Sequence, residues 1–243
     1  MAIDMGLRGA KIGINGRDLD KLQECHDELN QMGIKNIMVP GDVTDYQTCE
    51  KIVAKILEEY GRLDAVVANA SMMVEASLLE IKPEVFRTAI DSQILGAVYP
   101  IKASLQALIN SKGYVLLISS LAALYGLPRF TAYSMGKAAH SKLAESLRIE
   151  LISTDVEVGV AYVCFTKNDP DKKMYLPNGE LSNLPKRPTR MQQPREKVAR
   201  ELAKMIKHRT RSKTLSFYGK AFAFFTRFLP RLVKVFIKKK LPI

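Results

Sequence analysis

The chain has few of the residues from which disulfide frameworks and metal centres are built. Among its 243 residues there are three cysteines and three histidines. They are Cys25, Cys49 and Cys164, and His26, His140 and His208. They lie far apart with no CxxC pair, whereas metal ligands must cluster and a disulfide framework needs an even set of cysteines. We therefore expect no metal site, and we expect a reducing, cytoplasmic compartment.

Long apolar runs are also lacking. The first ten residues show no basic start followed by an apolar segment, so the sequence predicts no signal peptide. No stretch of about 18 apolar residues is free of charges, so the sequence predicts no membrane-spanning helix.

Acidic residues are missing from the C-terminal end. The last one is Glu201, and 12 of the 37 lysines and arginines follow it. The residues up to Glu201 carry 25 basic and 25 acidic side chains, so the net charge of +12 lies entirely in the residues that follow Glu201. We accordingly divide the chain into a domain, residues 1–212, and a basic tail, residues 213–243.

The tail mixes phenylalanines with lysines and arginines, and Pro230 divides it into two short predicted helices. A basic amphipathic helix with phenylalanine on its apolar side suits a membrane surface. The alternative is a C-terminal element that packs on its own domain and leaves its lysines in solvent. We expect no nucleic-acid partner, because an apolar stripe has no role there.

Strand-like and helix-like segments alternate along the domain. The predicted strands are 10–15, 37–39, 65–68, 114–118 and 156–163, and the predicted helices are 18–32, 46–60, 83–109, 130–153 and 193–206. This order predicts an α/β fold, a doubly wound Rossmann-type parallel sheet with helices on both faces. Residues 164–194 are rich in proline, lysine and asparagine, and we interpret this long segment as a substrate lid loop.

Ser120, Tyr133 and Lys137 form a constellation with a clear chemical use. A spacing of four puts Tyr133 and Lys137 on one face of a helix, and Ser120 ends a buried strand. A tyrosine hydroxyl can give a proton to a carbonyl oxygen, but its free pKa of about 10 is high for exchange at neutral pH. A neighbouring ammonium favours the phenolate, and a serine hydroxyl can hold the carbonyl oxygen.

These residues stand in the stretch GYVLLISSLAALYGLPRFTAYSMGKAA, which follows GRLDAVVANA and LGAVYP. In this order the stretches resemble the short-chain dehydrogenase/reductase family, nearest its 3-ketodihydrosphingosine reductase-like branch. The resemblance covers residues from about 6 to 208. It implies that Tyr133 is the catalytic acid/base, that Lys137 supports it and binds the ribose, and that Ser120 holds the substrate carbonyl.

The resemblance also implies a cofactor site. Arg17 stands where the family has either an acid for the NAD ribose or a basic residue for the NADP 2′-phosphate, so it favours NADP(H). The alternative is a surface arginine. Asp42 and Val43 resemble the pair that contacts adenine, although Asp42 could also be an acid at a helix N-terminus, as could Asp45. Asn69 resembles the asparagine of the turn after the third strand.

The sequence departs from the family's pattern at several positions. Gln93 replaces the asparagine that completes the catalytic tetrad, and Ser71 replaces a usual glycine. Thr166 and Asn168 both lie where the family's threonine binds the nicotinamide amide. His140 is interpreted as an ordinary helix-face residue.

The family's first strand and its glycine-rich turn, T-G-x-x-x-G-x-G, have no counterpart here. Residues 2–17 match the end of the first helix and the second strand, with Gly9 at a helix-ending position. We therefore expect an N-terminally truncated sequence, with two interior sheet edges left unpaired and weak NADPH binding. We also expect a homo-oligomer, since open edges promote association.

The residues and the resemblance together predict an oxidoreductase. We expect hydride transfer between NADP(H) and the carbonyl or secondary alcohol of a bulky or lipid-like substrate, by a cytoplasmic and membrane-peripheral enzyme. The alternatives are a non-catalytic Rossmann-fold binding or membrane-associated protein, and an inactive truncated gene product.

Overall fold

The structure is a computed structural model that describes residues 1–167, 172–184 and 192–238, except for the side chains of Phe236 and Lys238. In these ranges the helices are α1 (Ala2–Gly6), α2 (Leu19–Gln31), α3 (Tyr46–Tyr60), α4 (Pro83–Ser111), α5 (Thr131–Glu150), α6 (Arg195–Lys207), α7 (Phe217–Phe228) and α8 (Pro230–Lys238). The strands are β1 (Ile12–Ile14), β2 (Asn36–Met38), β3 (Ala65–Ala68), β4 (Tyr114–Ser120), β5 (Glu157–Val163), β6 (Lys173–Tyr175), β7 (Leu181–Asn183) and β8 (Ser212–Thr214). Each predicted strand and helix is present, with ends that differ by three residues or fewer.

Helices α2 and α3 begin at aspartates that cap them. Asp18 accepts a hydrogen bond from the backbone N–H of Lys21 at 3.1 Å, and Asp45 accepts one from Thr48 at 2.8 Å. Each cap satisfies a backbone donor that the helix itself cannot, which contributes about 1 kcal/mol. Helix α3 ends at Gly61, whose φ of 74° is the left-handed conformation that favours glycine.

The larger sheet contains four parallel strands in the order β3-β4-β5-β8. The core lies on both of its faces. Val115 and Leu117 point to the face covered by α4 and α5, and Leu116 and Ile118 point to the face covered by α6. Because β4 is buried on both sides, its sequence is a continuous apolar run. The fold is thus an α/β, Rossmann-type parallel sheet between helices.

A second parallel sheet contains two strands, β1 and β2. Among the described residues β1 pairs with β2 alone and β3 pairs with β4 alone, so each has one open edge. These are the two edges that the sequence analysis expects to be unpaired. Gly9, just after α1, has a φ of 91°, in line with its predicted helix-ending position.

The predicted lid segment contains a hairpin. β6 and β7 pair antiparallel, and Tyr175 of β6 bridges to Val74 in the loop after β3. Residues 168–171 and 185–191 lie outside the described ranges.

β8 was not predicted from the sequence. It pairs with β5 in the larger sheet and is followed by Leu215, which is buried in the core. The proposed boundary after residue 212 therefore falls within this strand, so the first residues of the tail complete the domain's sheet.

The rest of the tail forms α7 and α8, divided at Pro230 as predicted. Many of its apolar side chains are exposed, among them Phe217 (81%), Phe224 (55%) and Phe228 (60%). Over the part of the chain that the structure describes, no helix combines the length and the hydropathy needed to cross a bilayer.

Candidate active site

The predicted site residues follow the carboxyl ends of successive parallel strands. Arg17 follows β1, Asp42 follows β2 and Asn69 follows β3. Ser120 ends β4, and Thr166 follows β5. Within a parallel sheet these ends share one edge, which is where ligands bind in open α/β folds.

Ser120 lies where β4 turns into the 3-10 turn Leu121–Ala123. Its hydroxyl oxygen accepts a hydrogen bond from the backbone N–H of Ala122 at 3.3 Å. A serine hydroxyl that accepts a bond still has its own hydrogen to donate. The side chain can therefore donate to an oxygen placed at the strand end.

Tyr133 and Lys137 lie one turn apart on the N-terminal half of α5, which packs against β4 and the 3-10 turn. The ammonium nitrogen of Lys137 is 5.8 Å from the centre of the Tyr133 ring. The predicted placement on one helix face is confirmed. Tyr133 is half-buried, whereas Lys137 is buried.

Lys137 is held by the backbone of β4. Its Nζ donates to the carbonyl of Ile118 at 2.9 Å, and its own carbonyl accepts from Ser119 Oγ at 2.8 Å. Burial, together with a smaller contribution from the positive charge of Lys172, lowers the pKa of Lys137 to about 7. At neutral pH the charged and neutral forms of Lys137 are therefore comparably populated.

Gln93 is fully buried on α4. Its Nε2 donates to Ser71 Oγ at 2.8 Å and to the carbonyl of Met72 at 2.8 Å. Gln93 and Ser71, which stand where the family usually has asparagine and glycine, are thus hydrogen-bonded to each other. Gln93 Oε1 is buried and has no hydrogen-bond partner within the described ranges.

Helix α5 packs closely against α4 at Gly136, between Tyr133 and Lys137. A Cβ atom at Gly136 would lie 2.3 Å from Gln93 Cβ, closer than real atoms approach. Gly136 stands between Tyr133 and Lys137, so this close packing fixes the part of α5 that carries them.

His140 is not the ordinary helix-face residue that the sequence suggested. It is 1% exposed, with Nε2 2.8 Å from the carbonyl of Gln93 and Nδ1 3.2 Å from that of Ile118. Its spacing of three from Lys137 puts the two side chains on neighbouring positions of one helix face, and this signal could have found it.

The residues predicted for the adenosine end of a cofactor are more exposed. Arg17 Nη1 lies 3.2 Å from Asp42 Oδ2, and both side chains reach solvent. Partial burial raises the pKa of Asp42, but hydrogen bonds from Thr44 and the charge of Arg17 outweigh it and lower the pKa overall. Asp45, not Asp42, caps α3, so the role of an acid at the helix N-terminus belongs to Asp45.

The other predicted cofactor residues follow β2, β3 and β5. Val43 is half-buried, and its Cγ2 would lie 3.6 Å from a Cβ atom at Gly96 of α4. Asn69 is exposed directly after β3. Thr166 donates to the carbonyl of Cys164 at 3.2 Å and bridges to Gln193. Asn168 lies outside the described residues.

Known proteins resemble this chain in sequence and in structure. It is 31% identical over 185 residues to the 11-beta-hydroxysteroid dehydrogenase 1A of Arabidopsis thaliana, covering 74% of this chain and 52% of that protein. The chain thus spans about half the length of this curated relative.

Two solved structures share the fold. An alcohol dehydrogenase from the archaeon Thermococcus sibiricus, complexed with 5-hydroxy-NADP, has a TM-score of 0.74 and 23% identity over 88% of this chain and 89% of its own. A metagenomic short-chain oxidoreductase in complex with NADP has a TM-score of 0.63 and 25% identity over 66% and 74%.

The family profile described as short chain dehydrogenase matches residues 1–176, which include β1 to β5 and all three catalytic candidates. The chain belongs to the short-chain dehydrogenase family.

Proposed function

We propose that the protein transfers a hydride between NADP(H) and the carbonyl or secondary alcohol of a bulky or lipid-like substrate. The observation that carries this proposal is the arrangement of Ser120, Tyr133 and Lys137 at the carboxyl end of β4. The curated relative is by name a hydroxysteroid dehydrogenase, which supports a large alcohol or ketone as substrate. The 3-ketodihydrosphingosine reductase-like branch, whose substrate is a long-chain ketone, is our specific proposal within this class.

In the direction of reduction, the Tyr133 hydroxyl gives its proton to the substrate oxygen while Ser120 donates a hydrogen bond to the same atom. The nicotinamide cofactor, when bound, supplies the hydride to the carbonyl carbon. The ammonium of Lys137 stabilises the phenolate that remains on Tyr133. Such proton transfer by a positioned side chain contributes about 100-fold or more to a rate.

Residues along the strand ends fit a dinucleotide with a 2′-phosphate. Arg17 offers an exposed guanidinium after β1, and a planar fork of donors suits phosphate. Its partner Asp42 would have to share it with the phosphate. Lys137 would hold the ribose hydroxyls, and Thr166 would face the nicotinamide amide. The solved relative with 25% identity was crystallised with NADP, which supports the same choice here.

Transfer of a labelled hydride tests the proposal directly. The protein is incubated with NADPH deuterated at C4 of the nicotinamide and with ketones that range from short acyl chains to steroids and long-chain ketones. We expect deuterium on the carbinol carbon of a bulky product. If NADPH binds but no deuteride reaches any ketone, and no hydride passes from the corresponding alcohols to NADP⁺, the non-catalytic alternative is supported instead.

We further propose that α7 and α8 bind an anionic membrane surface on its cytoplasmic side. Exposed phenylalanines at 217, 224 and 228 lie beside the exposed cations Lys220 and Arg227. No acidic residue follows Glu201, so nothing within the tail's own sequence opposes attraction to negative lipid headgroups. The tail also packs near the site, because α7 contacts the 3-10 turn that follows Ser120.

Vesicle sedimentation tests this surface. The protein should pellet with phosphatidylcholine vesicles that contain phosphatidylserine, and far less with phosphatidylcholine alone or at high salt. The double variant Phe224→Ser/Phe228→Ser should lose most of the binding. Ile149→Ser/Ile152→Ser removes two apolar side chains that are even more exposed, at and just after the end of α5, and should retain it. Equal pelleting of both variants would refute the assignment.

Self-association is a further part of the proposal. The open edges of β1 and β3 present unpaired backbone groups, which favour pairing with another chain. Light scattering after size exclusion should give a mass above that of the monomer, and a monomer at tens of micromolar would contradict it.

A further inference from the structure

Residues 71–76, which follow β3, bind two other elements through their backbone. The N–H of Tyr175 on β6 donates to the Met73 carbonyl at 2.9 Å, and the Tyr175 carbonyl accepts a bond of 3.2 Å from the same segment. The N–H of Ala76 donates to the carbonyl of Arg129, just before α5, at 2.7 Å. We call residues 71–76 the seat, because the β6–β7 hairpin is bound to it.

Apolar packing joins the same elements. A buried cluster unites residues of the seat, of α4 and of α5: Val74, Ala76, Ala89 and Ala132. Tyr175 of the hairpin packs against this cluster. The hairpin is thus held to the seat by side chains as well as by backbone hydrogen bonds, so its position depends on that of the seat.

Gln93 of α4 holds the beginning of the seat. The residue is fully buried, and its Nε2 donates two hydrogen bonds of 2.8 Å, one to Ser71 Oγ and one to the Met72 carbonyl. A carbonyl can only accept, so the Met72 contact assigns the NH2 group to this end of the amide. Both hydrogens of Nε2 are therefore used on the two residues that precede Met73, whose carbonyl binds the hairpin.

The contact needs both a glutamine and a serine. Asparagine at position 93 would be shorter by one methylene, about 1.5 Å, and could not span both acceptors from the same backbone position. Glycine at position 71 would offer no hydroxyl to accept the bond. The two residues that differ from the family's pattern therefore work as one unit.

Gln93 also contacts the helix that carries the catalytic candidates. A Cβ atom at Gly136 of α5 would lie 2.3 Å from Gln93 Cβ and 2.7 Å from Gln93 Cγ. The backbone carbonyl of Gln93 lies 2.8 Å from His140 Nε2 on the same helix. The stem and backbone of Gln93 thus pack on α5, while its amide holds the seat.

We propose that Gln93 is a positioning residue for the β6–β7 hairpin: together with Ser71 it fixes the seat on α4, and the seat fixes the hairpin. The hairpin belongs to the segment interpreted as a substrate lid. The consequence for a bulky substrate therefore rests on the proposed function, whereas the link from Gln93 to Tyr175 does not.

Hydrogen exchange at single tyrosine amides tests this link without turnover. The full chain is labelled with nitrogen-15 at tyrosine, and the signals of Tyr175 and Tyr114 are assigned through Tyr175→Phe and Tyr114→Phe. The amide of Tyr114 donates to a carbonyl beside the buried strand β4 and serves as the internal reference. Gln93→Met keeps the length and packing of the side chain but has no hydrogen to donate.

In Gln93→Met the ratio of the Tyr175 to the Tyr114 exchange rate should rise at least about tenfold, because the loss of two hydrogen bonds lets the seat open locally. Gln93→Asn should have a similar effect, since its amide is too short. Gln106→Asn makes the same change at an exposed position of α4 and should leave the ratio as it is. An unchanged ratio in Gln93→Met, or equal acceleration of both amides, would overturn the proposal.

A double-variant cycle tests the pair. Ser71→Ala removes one of the two acceptors and should raise the Tyr175 exchange rate about threefold, less than Gln93→Met does. Added to Gln93→Met, Ser71→Ala should have no further effect, because its hydroxyl has already lost the donor. Additive effects would show that the two residues act separately and would contradict the proposal. If Gln93→Met fails to fold, Ser71→Ala still decides whether the hairpin depends on this contact.

The kinetic arm uses a substrate found by hydride transfer and separates positioning from chemistry. Gln93→Met should raise the KM for a bulky ketone several-fold and lower kcat by a smaller factor, while Gln106→Asn should change neither. A fall in kcat at unchanged KM would place Gln93 in the proton transfer and overturn its role toward the hairpin. Absence of hydride transfer in the unaltered protein would remove the proposed function, and the exchange rates would still decide the link.

Discussion

The two parallel sheets of the molecule are enclosed to different degrees. β4 pairs with a strand on either side, and its residues 114–117 are 2% exposed or less. β1 pairs only with β2 in the described ranges, and of its three residues only Ile14 is buried. Ser120 ends β4, and α5 with Tyr133 and Lys137 packs against that strand, whereas Arg17 and Asp42 follow β1 and β2.

This difference separates two requirements of the proposed reaction. The catalytic end is preorganised by the protein's own core, since Lys137 and His140 bond to carbonyls of buried backbone. The adenosine end consists of exposed side chains on a two-stranded sheet, so its geometry can change when a cofactor binds. The catalytic residues should therefore respond to changes in packing, and the cofactor residues to changes in charge.

The largest expected effect concerns the stability of the sheets themselves. Two-stranded sheets are marginal on their own, and amides of enclosed strands exchange only on global opening. We expect amide hydrogens of β4 and β5 to exchange at least about 1,000-fold more slowly than those of β1 and β2. Hydrogen exchange followed by mass spectrometry measures this, and similar protection in both sheets would remove the distinction.

Next in size is the dependence of cofactor choice on Arg17. Arg17→Ala removes a charge-assisted contact to the 2′-phosphate, worth roughly 1.5–3 kcal/mol, so the Kd for NADPH should rise about 10- to 100-fold. The Kd for NADH should hardly change. Arg62→Ala, which removes another exposed arginine bonded to an aspartate, serves as the control. A protein that already prefers NADH contradicts the assignment.

Stability should rise when the buried charge of Lys137 is removed. Its pKa is about 7 in the folded protein against 10.5 for the free side chain. Between these values the unfolded chain binds more protons, so the free energy of unfolding rises with pH across this window.

At pH 7, Lys137→Met should increase the free energy of unfolding by about 2 kcal/mol and flatten its rise toward pH 10. Lys142→Met, at an exposed position of the same helix, should keep the slope. Urea unfolding at several pH values measures both variants. An unchanged slope in Lys137→Met would show that Lys137 is not the group responsible.

The periodic elements could be predicted from the sequence because their signals are local. The cap at Asp45, the apolar run of β4 and the shared face of Tyr133 and Lys137 each depend on residues a few positions apart. The resemblance then assigned roles to those residues, and the family assignment is confirmed by the profile match.

Features that depend on distant contacts could not be predicted in this way. β8 is a polar three-residue segment whose strand character comes from pairing with β5, about 50 residues earlier. Gln93 and Ser71, two residues that differ from the family's pattern, are 22 positions apart in the sequence, and only the structure shows that they are hydrogen-bonded. The spacing from Lys137 could have pointed to His140, but the two carbonyls that its ring contacts come from α4 and β4, which are distant in the sequence.

The central claim is that Tyr133 exchanges the proton with the substrate oxygen, and one substitution tests it most directly. Tyr133→Phe keeps the ring over Lys137 and removes the hydroxyl. With the substrate found by hydride transfer, kcat should fall by at least about 100-fold while the Kd for NADPH stays within about twofold. Tyr60→Phe, which removes a hydroxyl at the end of α3, should retain full activity. Near-normal turnover in Tyr133→Phe would contradict the account.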